Sequence, residues 1–358
     1  MPTRRELLMG LAGTAVLGTA GPSRAAAPKR LNILVLGGTG FLGPVQIEHA
    51  LARGHRITMF NRGRTDAGRY GARVESLIGN RDSRQDAGLK ALAGRRRWDL
   101  LIDNSGYVPR HVRESAELLH GRVGRYLYVS TISAYPLERG GAFAESDPLH
   151  AAPSSGMEQV TDETYGPFKA ECDRIVREVY GSAATVVRPT FIVGPGDDTD
   201  RFTYWVDRVA RGGDVLAPPD PGETLQWIDV RDLAQWMVAL GENDTGGVFN
   251  AASMPTAWID VLTLLGRATR QSPRLRRVTP QLLERFDLSL PLVAPGMASW
   301  YVTTAAAASA GLTIRPLEDT ARDTPTWWQS LPAERRANPE GWPTQELERA
   351  ALERLRRV

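Results

Sequence analysis

A short apolar run, Leu31-Asn32-Ile33-Leu34-Val35-Leu36, is followed at once by Gly37-Gly38-Thr39-Gly40-Phe41-Leu42-Gly43. The run is long enough for one buried strand. Residues 44–54 then read as an amphipathic helix that stops at Gly54. Few folds use a strand, a glycine turn and a helix in direct succession. Glycines let the backbone turn tightly, let phosphate oxygens approach it, and let helix and strand pack closely. The phosphates then lie at the positive end of the helix. This order predicts a parallel α/β sheet holding a dinucleotide, with Gly37, Gly38, Thr39, Gly40, Phe41, Leu42 and Gly43 at the pyrophosphate.

The next strand, residues 56–60, ends at Asn61-Arg62, with Arg64 close by. A carboxylate there would hold a ribose hydroxyl and favour NAD. Arginine suits a 2′-phosphate, so Asn61 and Arg62 favour NADP, with NAD still possible. Far downstream stands Tyr165-Gly166-Pro167-Phe168-Lys169. Spacing of four places Tyr165 and Lys169 on one helix face, with Pro167 read as part of a first turn. An ammonium beside the phenol is expected to lower its pKa into a useful range for acid–base work. The chain has 44 Lys+Arg, of which only Lys29, Lys90 and Lys169 are lysine. Lysine at 169 is therefore a departure from the chain's habit, and a guanidinium does not replace a compact ammonium. The strand Tyr126–Val129 ends in hydroxyls at Ser130, Thr131 and Ser133. Thr131 or Ser133 is placed to bond a substrate oxygen, or simply to cap a turn.

With these residues in this order, the chain resembles the extended short-chain dehydrogenase/reductase superfamily, in its NAD-dependent epimerase/dehydratase branch. The resemblance runs over residues 31–330. It includes Arg188-Pro189-Thr190-Phe191-Ile192-Val193-Gly194-Pro195-Gly196 and Trp227-Ile228-Asp229-Val230-Arg231-Asp232-Leu233-Ala234. Its finer pattern resembles an atypical subgroup, labelled isoflavone-reductase-like or chloroplast-RNA-binding-like. The resemblance implies a Rossmann-type doubly wound parallel sheet with a smaller C-terminal substrate lobe. It implies Tyr165 as acid/base, Lys169 orienting the nicotinamide ribose, and Thr131 where serine is usual. It also implies Asn80 at the adenine and Pro189, Phe191 and Ile192 beside the nicotinamide. Asp103-Asn104-Ser105-Gly106 departs from the small apolar pair usual there, which puts the neighbouring pocket in question.

Thr3-Arg4-Arg5-Glu6-Leu7-Leu8-Met9, a short apolar stretch and Ser23-Arg24-Ala25-Ala26 form a twin-arginine export pattern with a cut after Ala25. Removing residues 1–25 takes the formal charge from +3 to +1, so the basic balance belongs to the precursor. No basic stripe with interleaved aromatics implies nucleic acid. The single cysteine, Cys172, rules out an internal disulfide, and the five histidines lack ligand spacing, so no metal is expected. The predicted organisation is residues 1–25 signal peptide, 31–192 dinucleotide-binding domain, 193–330 substrate lobe interleaved with it, and 331–358 charged helical tail. Arg201, Phe202, Tyr204 and Trp205 are candidates to face the substrate, or to pack a helix.

Export of a nicotinamide enzyme requires tightly held cofactor and a redox-neutral cycle or a second substrate. The expectation is hydride transfer on a sugar-like, polyol or small carbonyl compound outside the cytoplasm, with the export machinery as partner and a homodimer compatible. Two other readings stay open: a cytoplasmic NADPH-dependent reductase of an enone or phenolic compound, and a non-catalytic dinucleotide- or RNA-binding protein.

Overall fold

The computed structural model describes residues 29–66, 68–218, 223–293 and 300–356; the twin-arginine segment lies outside them. Seven strands build the central sheet. They are β1 (Asn32–Leu36), β2 (Arg56–Asn61), β3 (Glu75–Ile78), β4 (Trp98–Asp103), β5 (Val123–Val129), β6 (Ala184–Pro189) and β7 (Gly247–Ala251). All pairings are parallel, in the order β7-β6-β5-β4-β1-β2-β3. The chain thus winds outward in both directions from the β1–β4 boundary. That reversal leaves a crevice at the carboxyl ends of the strands, the ligand position in open α/β sheets.

Alternation along β1 sets the layers. Ile33 and Val35 join one core with α1 (Leu42–Ala52) and α5 (Val230–Glu242); Leu34 and Leu36 join another with α2 (Pro109–Leu119) and α3 (Asp162–Tyr180). Between these, α4 spans Arg201–Ala210. Glu242 ties α5 to the end of α1, taking Arg53 at 2.6 Å and His55 at 2.8 Å.

The smaller lobe has its own core. Phe202, Tyr204 and Trp205 of α4 pack there with Trp258 and Leu262 of α6 (Trp258–Thr269) and Leu317 of α7 (Leu317–Ser330). The interval 193–330 supplies this lobe and also β7, so the two parts interleave in the chain. The tail forms α8 (Gln345–Arg356), whose Ala351 and Leu352 enter the same core. Glu348 pairs with Arg208, and Arg356 reaches Asp214 at 2.7 Å. The charged tail therefore docks on the body of the chain.

Candidate active site

Gly37 follows β1 with φ +83, and a Cβ there would lie 2.8 Å from the Ser105 Cβ. At Gly43 a Cβ would lie 2.6 Å from the Gly38 backbone. Only hydrogen fits at these two places. Phe41, the residue capping α1, offers no side-chain cap, and no acidic side chain stands in the first turn. The first amides of α1 are thus left for an outside anion, which the helix dipole favours. The loop is pinned from behind: Tyr70 donates to the Gly38 carbonyl at 3.0 Å, and Asn104 Nδ2 to Gln46 Oε1 at 2.7 Å. These features fit a pyrophosphate.

The departure at Asp103–Gly106 is a buried polar support. Asp103 receives both prongs of Arg81, at 2.6 and 3.0 Å, and the Tyr126 hydroxyl at 2.7 Å. Burial alone would raise this carboxyl, but Arg81, with the Tyr126 hydroxyl and the Ser105 amide, outweighs it and holds the pKa below the ordinary value. Sequence reasoning missed Arg81. Arg81 lies in the loop after β3 and its partner at the end of β4, and neither residue marks the other in one sequence.

Two cavities meet along the crevice, and Gly37 and Tyr107 line both. The first, about 430 Å³, has Thr39, Asn61, Arg62 and Asn80 on its wall. Asn61 Oδ1 accepts from the Gly63 amide at 2.9 Å, and Asn80 Oδ1 from the Asp82 amide at 3.0 Å, so both also shape turns. Arg64 meets Asp86 at 3.5 Å, whereas Arg62, among the described residues, pairs with no carboxylate.

The second cavity, about 490 Å³, brings together Gly40, Phe41, Leu42 and Gly43 with Thr131, Tyr165 and Lys169; Pro189, Phe191 and Ile192 line it as well. Thr161 caps α3 in a reciprocal box with Thr164, so Pro167 falls in the second turn, not the first as expected. Lys169 Nζ donates to the carbonyls of Val129 at 2.6 Å and Gly106 at 3.0 Å, and lies 4.4 Å from the Tyr128 ring centroid. Burial pushes its pKa down to about 8. The expected lowering of the phenol by Lys169 is corrected here. Burial raises Tyr165 above its ordinary value, and the two opposing influences are the Thr131 hydroxyl and Arg201. Thr131 also caps the following turn, accepting from the Ser133 amide at 3.2 Å.

Opposite Tyr165, a loop from the smaller lobe closes the wall. Asp197 is buried and accepts from the Thr199 amide at 3.0 Å and its hydroxyl at 2.6 Å. Arg201 lines the cavity, while Phe202, Tyr204 and Trp205 turn into the lobe core. The four candidates thus divide, one to the site and three to packing. A larger opening, about 900 Å³, lies at the amino ends of β1, β2 and β4 and contains none of these groups.

A model of the family described as NAD dependent epimerase/dehydratase matches residues 33–252. The chain is 23% identical over 221 residues to the chloroplast stem-loop binding protein of 41 kDa b of Arabidopsis thaliana. That match covers 58% of this chain and 54% of the relative, so the chain spans about half the length of the curated relative it matches. Among solved structures, one from Burkholderia cenocepacia J2315, whose epimerase assignment is itself provisional, superposes with TM-score 0.65 at 20% identity, covering 87% of this chain and 100% of that one. The UDP-glucuronic acid 4-epimerase of Bacillus cereus, in complex with NAD, gives TM-score 0.60 at 16% identity, covering 83% and 96%. At such identities these structures share the fold.

Proposed function

Since the chain belongs to the NAD dependent epimerase/dehydratase family, we propose that it is a nicotinamide-dependent oxidoreductase or epimerase acting on a small hydroxyl or carbonyl compound. The observation that carries this reading is one cavity lined by the glycine loop, Thr131, Tyr165 and Lys169. A bound nicotinamide would take up and return hydride at the substrate carbon. Tyr165 moves the hydroxyl proton, and Thr131 holds the same oxygen and steadies the phenol. Lys169, with two of its three N–H groups on backbone carbonyls, keeps one for a ribose hydroxyl.

Arg62, which among the described residues pairs with no carboxylate, supports NADP as the dinucleotide, through a 2′-phosphate. The Bacillus cereus structure, which holds NAD, supports the wider class. The twin-arginine pattern supports export with cofactor already bound, which favours a free sugar, polyol or small carbonyl substrate over a nucleotide sugar.

Denaturing the purified protein and identifying released dinucleotide by mass spectrometry tests this. Near-stoichiometric NADP(H) supports both the enzyme and the Arg62 reading. NAD(H) keeps the first and removes the second. Tyr165→Phe should abolish turnover and keep dinucleotide binding; undiminished turnover would sink the assignment. The stem-loop-binding name of the Arabidopsis relative favours one second reading, RNA binding by the same fold. That reading requires RNA affinity that falls steeply with salt.

A further inference from the structure

We propose that the substrate carries a carboxylate, and that Arg201 binds it while Tyr165 and Thr131 take the reacting hydroxyl. The inference rests on the function proposed above.

Two basic side chains line the catalytic cavity, Lys169 and Arg201. Lys169 is engaged by the carbonyls of Gly106 and Val129. Arg201 is held differently. Its Nε donates to Thr199 Oγ1 at 3.0 Å, and its guanidinium carbon lies 5.5 Å from the Phe191 ring centroid. Among the described residues, neither terminal nitrogen of Arg201 meets a carboxylate. The Nε contact and the aromatic ring fix the plane of the group and leave its outer prongs uncommitted. A planar fork so held matches the two oxygens of a carboxylate. Arg201, Tyr165 and Thr131 line the same cavity of about 490 Å³, so an anion on Arg201 stands within one small molecule's reach of Tyr165.

The two acidic groups on the wall narrow the choice of anion. Asp198 is exposed at the rim. Asp197 is buried, its Oδ1 taken by Thr199, and burial raises its pKa. One guanidinium facing these aspartates suits a monoanion better than a dianionic phosphate ester. The class is therefore a hydroxy acid or sugar acid. The balance is that of alcohol oxidation: the carbinol C–H would leave as hydride to the oxidised nicotinamide, and the O–H proton goes to the Tyr165 phenolate, which becomes the neutral phenol.

The test uses full-length protein loaded with the dinucleotide it binds. Calorimetry compares glycerate, D-gluconate and D-glucuronate with glycerol, sorbitol and D-glucose. At least one acid should bind tighter than its neutral counterpart by roughly tenfold to a hundredfold, the worth of a charge-assisted hydrogen bond. Arg201→Gln should bring each pair to within about twofold, Arg201→Lys should keep part of the difference, and both should hold dinucleotide as the parent does. Equal binding of acid and neutral compound, no binding of any acid, or a preference unchanged in Arg201→Gln overturns the proposal. Failure of the parent protein to bind dinucleotide would instead overturn the function on which it rests. Thermal unfolding of both variants separates loss of the fork from loss of the fold.

Discussion

At Tyr165 two influences of opposite sign meet. Burial raises the phenol pKa, the Thr131 hydroxyl and Arg201 lower it, and burial prevails over an ordinary value of 10.0. The neutral phenol is therefore the resting form. Carbonyl reduction consumes its proton and should run at a rate nearly independent of pH in the neutral range. Alcohol oxidation needs the phenolate and, with the phenol held above its ordinary value of about 10, should still be rising with pH there. Rate profiles in the two directions check this; an oxidation limb that levels off near neutrality contradicts it. Lys169 titrates near 8. Dinucleotide affinity should weaken as pH rises through that value, and Lys169→Gln should flatten the curve, as read by equilibrium binding. Folding follows the opposite sign. Between about 8 and the ordinary 10.5, the unfolded chain holds a proton that the folded chain has released, so this group's share of stability rises with pH.

Among the elements, α1 and its glycine loop make the sharpest claim. Gly43→Ala adds helix propensity worth about 1 kcal/mol, yet its Cβ would sit 2.6 Å from the Gly38 backbone. Overpacking against backbone costs about 1–3 kcal/mol, so the net effect should be destabilising, with dinucleotide affinity down at least roughly tenfold. Chemical denaturation and binding measure the two parts. This element was legible in the sequence because its signals are local: apolar run, glycines, amphipathic helix. The strands ending at Asn61 and Val129 were legible as apolar runs. β7 was not, since Gly-Val-Phe-Asn-Ala is short and its place is fixed by pairing with β6. Tyr165, Lys169 and Thr131 could be named because they flank recognisable elements. The Arg81–Asp103 support could not, since Arg81 lies in the loop after β3 and Asp103 at the end of β4, two strands that are not neighbours in the sheet. Pro167 was placed one turn too early because the Thr161 cap, which sets the helix start, lies outside the Tyr-to-Lys pattern.

Over the whole molecule, residues 335–356 act on the middle of the chain. Arg208 and Glu348 form a nearly enclosed ion pair between α4 and α8. Removing one partner of such a pair leaves a buried charge, so Glu348→Ala should cost about 3–5 kcal/mol, far more than an exposed pair would. Urea unfolding measures it, and a loss below about 1 kcal/mol would show the pair to be solvated. Just before α8, the tail grips the loop that lines the site. Asp200 sits in the left-handed region at φ +56 and is fully buried. Its carboxylate receives Arg335 at 2.6 Å and the Glu340 amide at 2.8 Å, and its carbonyl receives the Trp342 indole at 3.0 Å. Arg335 also reaches the Asp198 carbonyl at 3.2 Å. The shape of the Asp197–Arg201 wall is thus written partly in residues 335–342. For anyone recombining this chain with relatives, the specificity cassette is discontinuous: a graft of the loop transfers its function only when the downstream clasp travels with it.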